Sequence, residues 1–160
     1  MQFRNLRAEE LEGSVDIPGL NDWLRSTGAT DATVLILAPS GTGKAAAVGK
    51  LACRLGRDVV LCNMMELFEG EEPQRQLENL LRICAAQRHS VIYLDKFDRA
   101  LTQWAKTHDG DQSLATVIEN WLGSTKEKLL EDECTVVCTG QDRAAVPESL
   151  IGSFDKALIS

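Results

Sequence analysis

The sequence lacks the features that mark membrane-spanning and secreted proteins. No apolar run approaches the roughly 18 residues that a membrane-spanning helix requires. The N-terminal stretch MQFRNLRAEELEG is too charged to act as a secretory signal. We therefore expect the chain to act in the cytoplasm or in an organellar matrix, without a membrane partner.

Paired cysteine motifs and an excess of basic residues are also lacking. The five cysteines are odd in number and lie in apolar stretches without CxxC spacing, which argues against a zinc site and predicts buried, reduced thiols. They are Cys53, Cys62, Cys84, Cys134 and Cys138. The formal net charge of -7 argues against a broad attraction to nucleic acid or to anionic membranes.

Aromatic residues are few, at 5%, but the 44% of hydrophobic and 26% of charged residues are typical of a globular protein. The 160 residues suffice for one domain with a buried core. We divide this domain into a lead-in region, 1–30, and an α/β core, 31–160. Apolar residues at helical spacing in the lead-in, which are Ile17, Leu20, Trp23 and Leu24, predict one helix there.

Strand-like and helix-like segments alternate through the core. The predicted strands are TVLIL, DVVLCN, SVIYLD, TVVCTG and KALIS, and helical patterns lie between them. Continuous apolar strands that alternate with helices favour a parallel five-stranded sheet covered on both faces. The sequence therefore predicts a three-layer α/β fold that binds its ligands at the carboxyl ends of the strands.

A phosphate-binding loop is predicted between the first core strand and the next helix. The loop matches GxxxxGK[ST] except at its first and last places, and its candidate ligand-binding residues are Pro39, Ser40, Gly41, Thr42, Gly43, Lys44 and Ala45. Backbone N–H groups at a helix start converge on phosphate oxygens, and a lysine ammonium reaches the outer phosphates. A simple turn with an exposed lysine is the alternative interpretation.

Two residues alter the chemistry that usually accompanies such a loop. Ala45 replaces the Ser or Thr hydroxyl that ligates Mg²⁺, which weakens any metal site. The strand VIYLD delivers Asp95, a candidate metal-binding and nucleotide-binding residue, but Lys96 follows it where a glutamate usually polarises the attacking water. Lys96 either offsets phosphate charge in place of magnesium or pairs with Asp95 or Asp98.

The segments PSGTGK, VIYLDKFDRAL and CTGQDRAAVPESLIGSFD resemble the core of an AAA-type P-loop ATPase, over roughly 20 to 159. The lead-in GLNDWL is similar to that of the cyanobacterial and chloroplast AAA family, which would place the chain in a plastid matrix. The resemblance implies a P-loop NTPase core. The sequence ends near the fifth predicted strand, before the helical lid that closes over the adenine in such families, so we expect this fold to form without that lid.

The resemblance also implies roles for single residues. Gln141 stands where the family has a polar sensor of the γ-phosphate, and Ser153 stands where it has an arginine finger. Phe68-Glu69-Gly70 corresponds to a pore loop that grips polypeptide, although a plain surface turn is the alternative. If the chain hydrolyses ATP, Asp95 and Gln141 are the candidate catalytic residues.

We predict a module that binds ATP or ADP with impaired or absent hydrolysis, and that acts with other protein subunits in a homo- or hetero-oligomeric AAA ring. We therefore favour a binding module over an enzyme. One alternative is an active ATPase completed by a partner subunit's residues. Another is an interaction domain that binds no nucleotide and presents the acidic stretch 66–72 to a basic partner.

Overall fold

The computed structural model describes residues 1–26, 31–70, 72–107 and 113–160. Its strands are β1 (Arg4–Leu6), β2 (Thr33–Leu37), β3 (Asp58–Asn63), β4 (Ser90–Asp95), β5 (Thr135–Gly140) and β6 (Lys156–Ile159). Its α-helices are α1 (Leu20–Ser26), α2 (Lys44–Leu55), α3 (Pro73–Ala85), α4 (Phe97–Thr107), α5 (Leu114–Glu131) and α6 (Glu148–Ile151). Short 3-10 helices cover Ala8–Leu11, Met64–Phe68 and Arg143–Ala145.

The strands form one sheet in the order β1-β3-β4-β5-β2-β6. Strands β2 to β6 are all parallel, which confirms the predicted parallel five-stranded sheet. A sixth strand, which the sequence does not predict, extends the sheet: β1 pairs antiparallel with β3, the outermost of the parallel strands on that side. β1 has only three residues, of which Arg4 and Asn5 are exposed, so it carries no apolar pattern that would predict a strand.

Helices cover both faces of the sheet, and this confirms the three-layer arrangement. On one face, side chains of the central strands, such as Leu35 and Ile92, pack against α3, α4 and α5. On the other face, the alternate residues, such as Val34 and Tyr93, pack against α1 and α2. Burial on both faces explains why the strands read as continuous apolar runs.

The lead-in region lies against α2. The predicted helix of this region forms as α1, and Leu20, Trp23 and Leu24 are buried as their spacing predicts. The helix begins at Leu20, so the prediction is wrong for Ile17, which is buried but lies before the first turn. The 3-10 helix Ala8–Leu11 packs on Gly49 of α2 so closely that a Cβ at Gly49 would lie 2.9 Å from the Cβ of Leu11. The path from Ala8 onward therefore runs along α2 toward the start of that helix.

Four of the five cysteines are buried, as predicted, but Cys53 is exposed on α2, so the prediction is wrong for that residue. Burial raises the pKa of Cys62 to about 12 and also raises the pKa of Cys84 and Cys138. Within the residues that the structure describes, no group of three or more His, Cys, Asp or Glu residues could hold a metal ion. No helix in the same described ranges has the length and apolar character needed to cross a membrane.

Candidate functional site

The loop between β2 and α2 has the backbone shape that the sequence pattern predicts. Gly41 and Gly43 adopt left-handed conformations, with φ of 84° and 88°, which glycine reaches without the steric cost of a Cβ. The Thr42 hydroxyl donates to the Pro39 carbonyl at 2.7 Å and closes the turn. The helix begins at Lys44 without a side-chain cap, so its first N–H groups have no partner within the helix and can face an anion.

Lys44 folds back over this loop. Its Nζ donates to the carbonyl oxygens of Ala38 at 2.7 Å and Pro39 at 3.2 Å. Burial lowers the pKa of Lys44, and the nearby charges of Asp95 and Asp98 oppose that shift. Neutral carbonyl groups therefore hold the ammonium at the loop. A phosphate oxygen of a bound ligand can replace them as the hydrogen-bond acceptor of Lys44.

The lead-in region closes over the same loop. The Asp16 N–H donates to the Thr42 carbonyl at 2.8 Å. A Cβ at Gly43 would overlap the Ser14 carbonyl oxygen and would lie 3.1 Å from the Cα of Val15. Two independent reasons therefore favour glycine at position 43. Its backbone is left-handed, and the backbone of the lead-in region leaves no room for a side chain.

A cleft of about 330 Å³ opens between the loop and the carboxyl ends of β4 and β5. The structure brings eight of the predicted site residues to its wall: Ser40, Gly41, Gly43, Lys44, Ala45, Asp95, Lys96 and Gln141. Pro39 and Thr42 are in the loop but not on this wall. The wall also carries residues that the sequence analysis did not assign to it, namely Tyr93, Asp98, Arg99 and Gly140.

Asp95 is held in place at the end of β4. Its Oδ1 accepts hydrogen bonds from the Thr139 hydroxyl at 2.9 Å and from the backbone N–H of Lys96 at 2.8 Å. Lys96 has a φ of 59°, a conformation that costs a non-glycine residue about 1–2 kcal/mol. The turn directs the chain away from β4 and into α4.

The Lys96 ammonium forms no ion pair with Asp95, with Asp98 or with any other residue in the described ranges. The interpretation in which Lys96 simply pairs with one of these neighbours is therefore wrong. Asp98 is engaged elsewhere, because its Oδ2 accepts from the backbone N–H groups of Gln141 at 3.0 Å and Asp142 at 2.9 Å. Asp98 is only 5% exposed, and it lies so close to Gly140 that a Cβ there would be 2.6 Å from its Oδ1.

The remaining residues implied by the resemblance lie at different distances from the cleft. Gln141 is exposed on the cleft wall, where Asp98 fixes its backbone. Ser153 donates to the Ser149 carbonyl at 2.9 Å and precedes Asp155, which binds the N–H groups at the start of β2. The phosphate loop follows the other end of β2, roughly 16 Å away at about 3.3 Å per residue. Ser153 therefore does not reach the cleft of its own chain.

The Phe68-Glu69-Gly70 segment is anchored at its aromatic residue. Phe68 packs edge-to-face against Trp104, with ring centroids 6.4 Å apart. Glu69 and Gly70 are exposed, and Glu71 lies outside the described residues. A packed Phe68 favours a surface turn over a loop that grips polypeptide.

The fold is similar to that of many solved structures, which include the following two. The crystal structure of the FIGL-1 AAA domain in complex with ADP matches with a TM-score of 0.69 and 16% sequence identity, and covers 98% of this chain. A variant of RuvB from Thermotoga maritima matches with a TM-score of 0.61 and 15% identity, and covers 96% of this chain. This chain spans 57% of the first structure and 47% of the second.

The sequence itself matches the model of a protein family. No curated protein sequence matches the chain significantly. The model of the "ATPase family associated with various cellular activities (AAA)" matches residues 34–160, which include the phosphate loop, Asp95, Gln141 and the last strand. Because this match spans most of the chain and agrees with the fold and the loop geometry, the chain belongs to the AAA family of P-loop ATPases.

Proposed function

We propose that this chain binds ATP or ADP at the phosphate loop, hydrolyses ATP poorly or not at all, and acts through association with other protein subunits. The observation that carries the proposal is the cleft in which the left-handed glycines, Lys44 and Asp95 meet. The presence of ADP in the FIGL-1 AAA domain, which shares this fold, supports the choice of ligand.

The expected defect in hydrolysis follows from two side chains on the cleft wall. The methyl group of Ala45 cannot ligate a metal, and the Lys96 cation cannot serve as a base toward water at neutral pH. Asp95 is left as the metal-binding carboxylate, and two hydrogen-bond donors already occupy its Oδ1. Because Asp95 is the remaining protein ligand, most of the octahedral ligands of a Mg²⁺ ion would have to be water and phosphate oxygens, so we expect metal binding here to be weak.

The Lys96 ammonium offers a different source of positive charge. It lies on the wall of the cleft, and none of the ion pairs within the described ranges includes it. A cation in this position offsets the charge of bound phosphates, which is the electrostatic role that a metal ion has in such sites. We therefore propose that nucleotide binding by this chain does not depend on magnesium.

The proposed association with other subunits is supported by the catalytic groups that this chain lacks. Ser153 stands where the family has the arginine of its finger, and the nearby Asp155 binds the end of β2 that lies opposite the phosphate loop. A chain that cannot complete turnover, yet keeps the nucleotide cleft, is suited to a binding or regulatory place in a homo- or hetero-oligomer. Sedimentation of the chain with and without ADP tests this part of the proposal, and a monomer under both conditions contradicts it for homo-oligomers.

The binding proposal is tested by calorimetric titration with ATP and with ADP, each in Mg²⁺ and in EDTA. We expect binding that survives EDTA and that weakens at least about tenfold in Lys44→Ala, because a charge-assisted contact to phosphate is lost. Lys128→Ala is the matched control, since it removes an exposed lysine from α5, away from the cleft. Absence of nucleotide binding under all conditions would refute the proposal and favour a pure interaction domain.

The hydrolysis proposal is tested by phosphate release. We expect the native chain to release no more phosphate from ATP than Lys44→Ala does. The double variant Ala45→Thr with Lys96→Glu restores a hydroxyl and a carboxylate to the cleft wall, and we expect its ATP binding to become dependent on Mg²⁺. Phosphate release by the native chain above the Lys44→Ala level would instead identify an active ATPase.

A further inference from the structure

The cleft wall carries one cation that the motifs do not predict. Arg99 lies in the first turn of α4, and its side chain is exposed. It lines the phosphate-loop cleft together with Lys44 and Lys96. It also lines an adjoining cavity of about 400 Å³, to which Asp98 and Gln141 contribute as well.

The charge of Arg99 has no counter-ion in the described part of the chain. The ion pairs found there do not include it. The nearest carboxylate in sequence, Asp98, binds two backbone N–H groups and stays buried. Three cations, Lys44, Lys96 and Arg99, therefore face one cleft in a chain whose net charge is -7. Two carboxylates, Asp95 and Asp98, line the same cleft, so the formal charge of its wall is +1, and this local positive charge in an acidic chain favours an anionic ligand.

The position of Arg99 identifies the part of that ligand it would contact. The adjoining cavity includes no residue of the phosphate loop, while Asp98, Arg99 and Gln141 line both cavities. These three residues therefore lie where the phosphate-loop cleft meets the adjoining cavity. Lys44, whose place in the loop motif is that of the lysine that reaches the outer phosphates, lines the same cleft as Arg99, so the terminal phosphate is the part of a bound nucleotide that Arg99 would contact.

We infer that Arg99 binds the terminal phosphate of a nucleoside triphosphate from within the same chain, and that it makes the cleft prefer ATP to ADP. The inference rests on the proposed nucleotide binding. A guanidinium suits the role because its planar N–H groups donate two parallel hydrogen bonds to phosphate oxygens. The contact is supplied in cis, so it does not need the neighbouring subunit that an arginine finger requires.

The test compares the affinities for ATP and ADP in the native chain, Arg99→Ala, Arg99→Lys and Lys106→Ala, each with Mg²⁺ and with EDTA. We expect Arg99→Ala to weaken ATP binding about tenfold and to leave ADP binding within about a factor of three. Arg99→Lys keeps the charge but not the planar donor pair, so we expect an intermediate loss. Lys106→Ala is the matched control, because Lys106 lies on the same helix and lines only the adjoining cavity.

The possible outcomes distinguish failure of the Arg99 inference from failure of the proposed nucleotide binding. Equal weakening of ATP and ADP, or equal effects of Arg99→Ala and Lys106→Ala, would refute terminal-phosphate recognition while leaving nucleotide binding intact. No binding of either nucleotide to the native chain would refute the proposed function itself. Urea denaturation of all four proteins shows whether they are equally folded, which we expect because Arg and Ala both favour an exposed helical position.

Discussion

Replacement of Gly43 by alanine tests the contact between the lead-in region and the phosphate loop. Gly41 and Gly43 have nearly the same left-handed backbone, with φ of 84° and 88°, so alanine at either place incurs a similar backbone cost of about 1–2 kcal/mol. Their surroundings differ. A Cβ at Gly41 has no atom within 4 Å, whereas a Cβ at Gly43 overlaps the Ser14 carbonyl. The two substitutions therefore form a matched pair.

The added loss in Gly43→Ala has two parts. Relief of the overlap forces a backbone shift, for which overpacking typically costs about 1–3 kcal/mol. That shift separates Asp16 from Thr42, whose 2.8 Å hydrogen bond contributes about 1 kcal/mol. We therefore expect Gly43→Ala to lower the free energy of unfolding by roughly 3–6 kcal/mol and Gly41→Ala by about 1–2 kcal/mol.

Urea denaturation measures both free energies of unfolding, and limited trypsin digestion at the exposed Arg7 measures release of the lead-in region. We expect faster cleavage at Arg7 in Gly43→Ala than in Gly41→Ala, because only the former disturbs the backbone around Ser14. Equal free energies of unfolding together with equal cleavage rates would show that the lead-in region does not pack on the loop in solution.

Three further predictions concern stability and exposure. Asp98→Ala removes the acceptor for two backbone N–H groups, so we expect a loss of about 1–3 kcal/mol in urea denaturation; no loss would contradict the assigned contact. Burial acts to raise the pKa of Asp155, but the Lys126 ammonium and two backbone N–H groups outweigh it and hold that pKa below its ordinary value. The stabilisation by ionised Asp155 is present above about pH 4 and is lost as the pH falls through the lowered pKa. We therefore expect Asp155→Asn to have a lower free energy of unfolding than the native chain at neutral pH, and this difference to shrink in acid. A difference that does not change with pH would contradict the assigned contacts. Iodoacetamide should modify Cys53 in the folded chain and the four buried thiols only in urea, as mass spectrometry of digests would show.

The sequence predicts the central sheet well because that sheet is buried on both faces. Every residue of β2 and β5 is buried, so each strand appears as an unbroken apolar or β-branched run. The phosphate loop is equally visible, since Gly41 and Gly43 stand where the backbone needs positive φ values. These features depend on short stretches of sequence, and one sequence is enough to show them.

Other parts of the site depend on contacts between distant segments, which no local pattern reveals. Ser14 approaches Gly43 through backbone atoms, and a backbone contact leaves no preference for residue type at Ser14. The sequence suggests Asp98 as a partner for Lys96, but the turn after β5 brings two backbone N–H groups to the Asp98 carboxylate instead. Arg99 carries one sequence signal, because it follows a strand's carboxyl end by one helical turn, where ligands of α/β folds bind.

The edge of the sheet affects the chain's tendency to aggregate. Without β1, the apolar strand β3 would present a row of unpaired backbone groups to other molecules, and such an edge is a template for strand pairing between chains. β1 covers that edge through Leu6, Asn5 and Arg4, and it is itself short, exposed and charged, which discourages another strand from adding to it. The first six residues thus protect the chain from edge-to-edge association, and a protein shortened past Leu6 would expose the backbone of Val59 to Leu61 to its neighbours in concentrated solution.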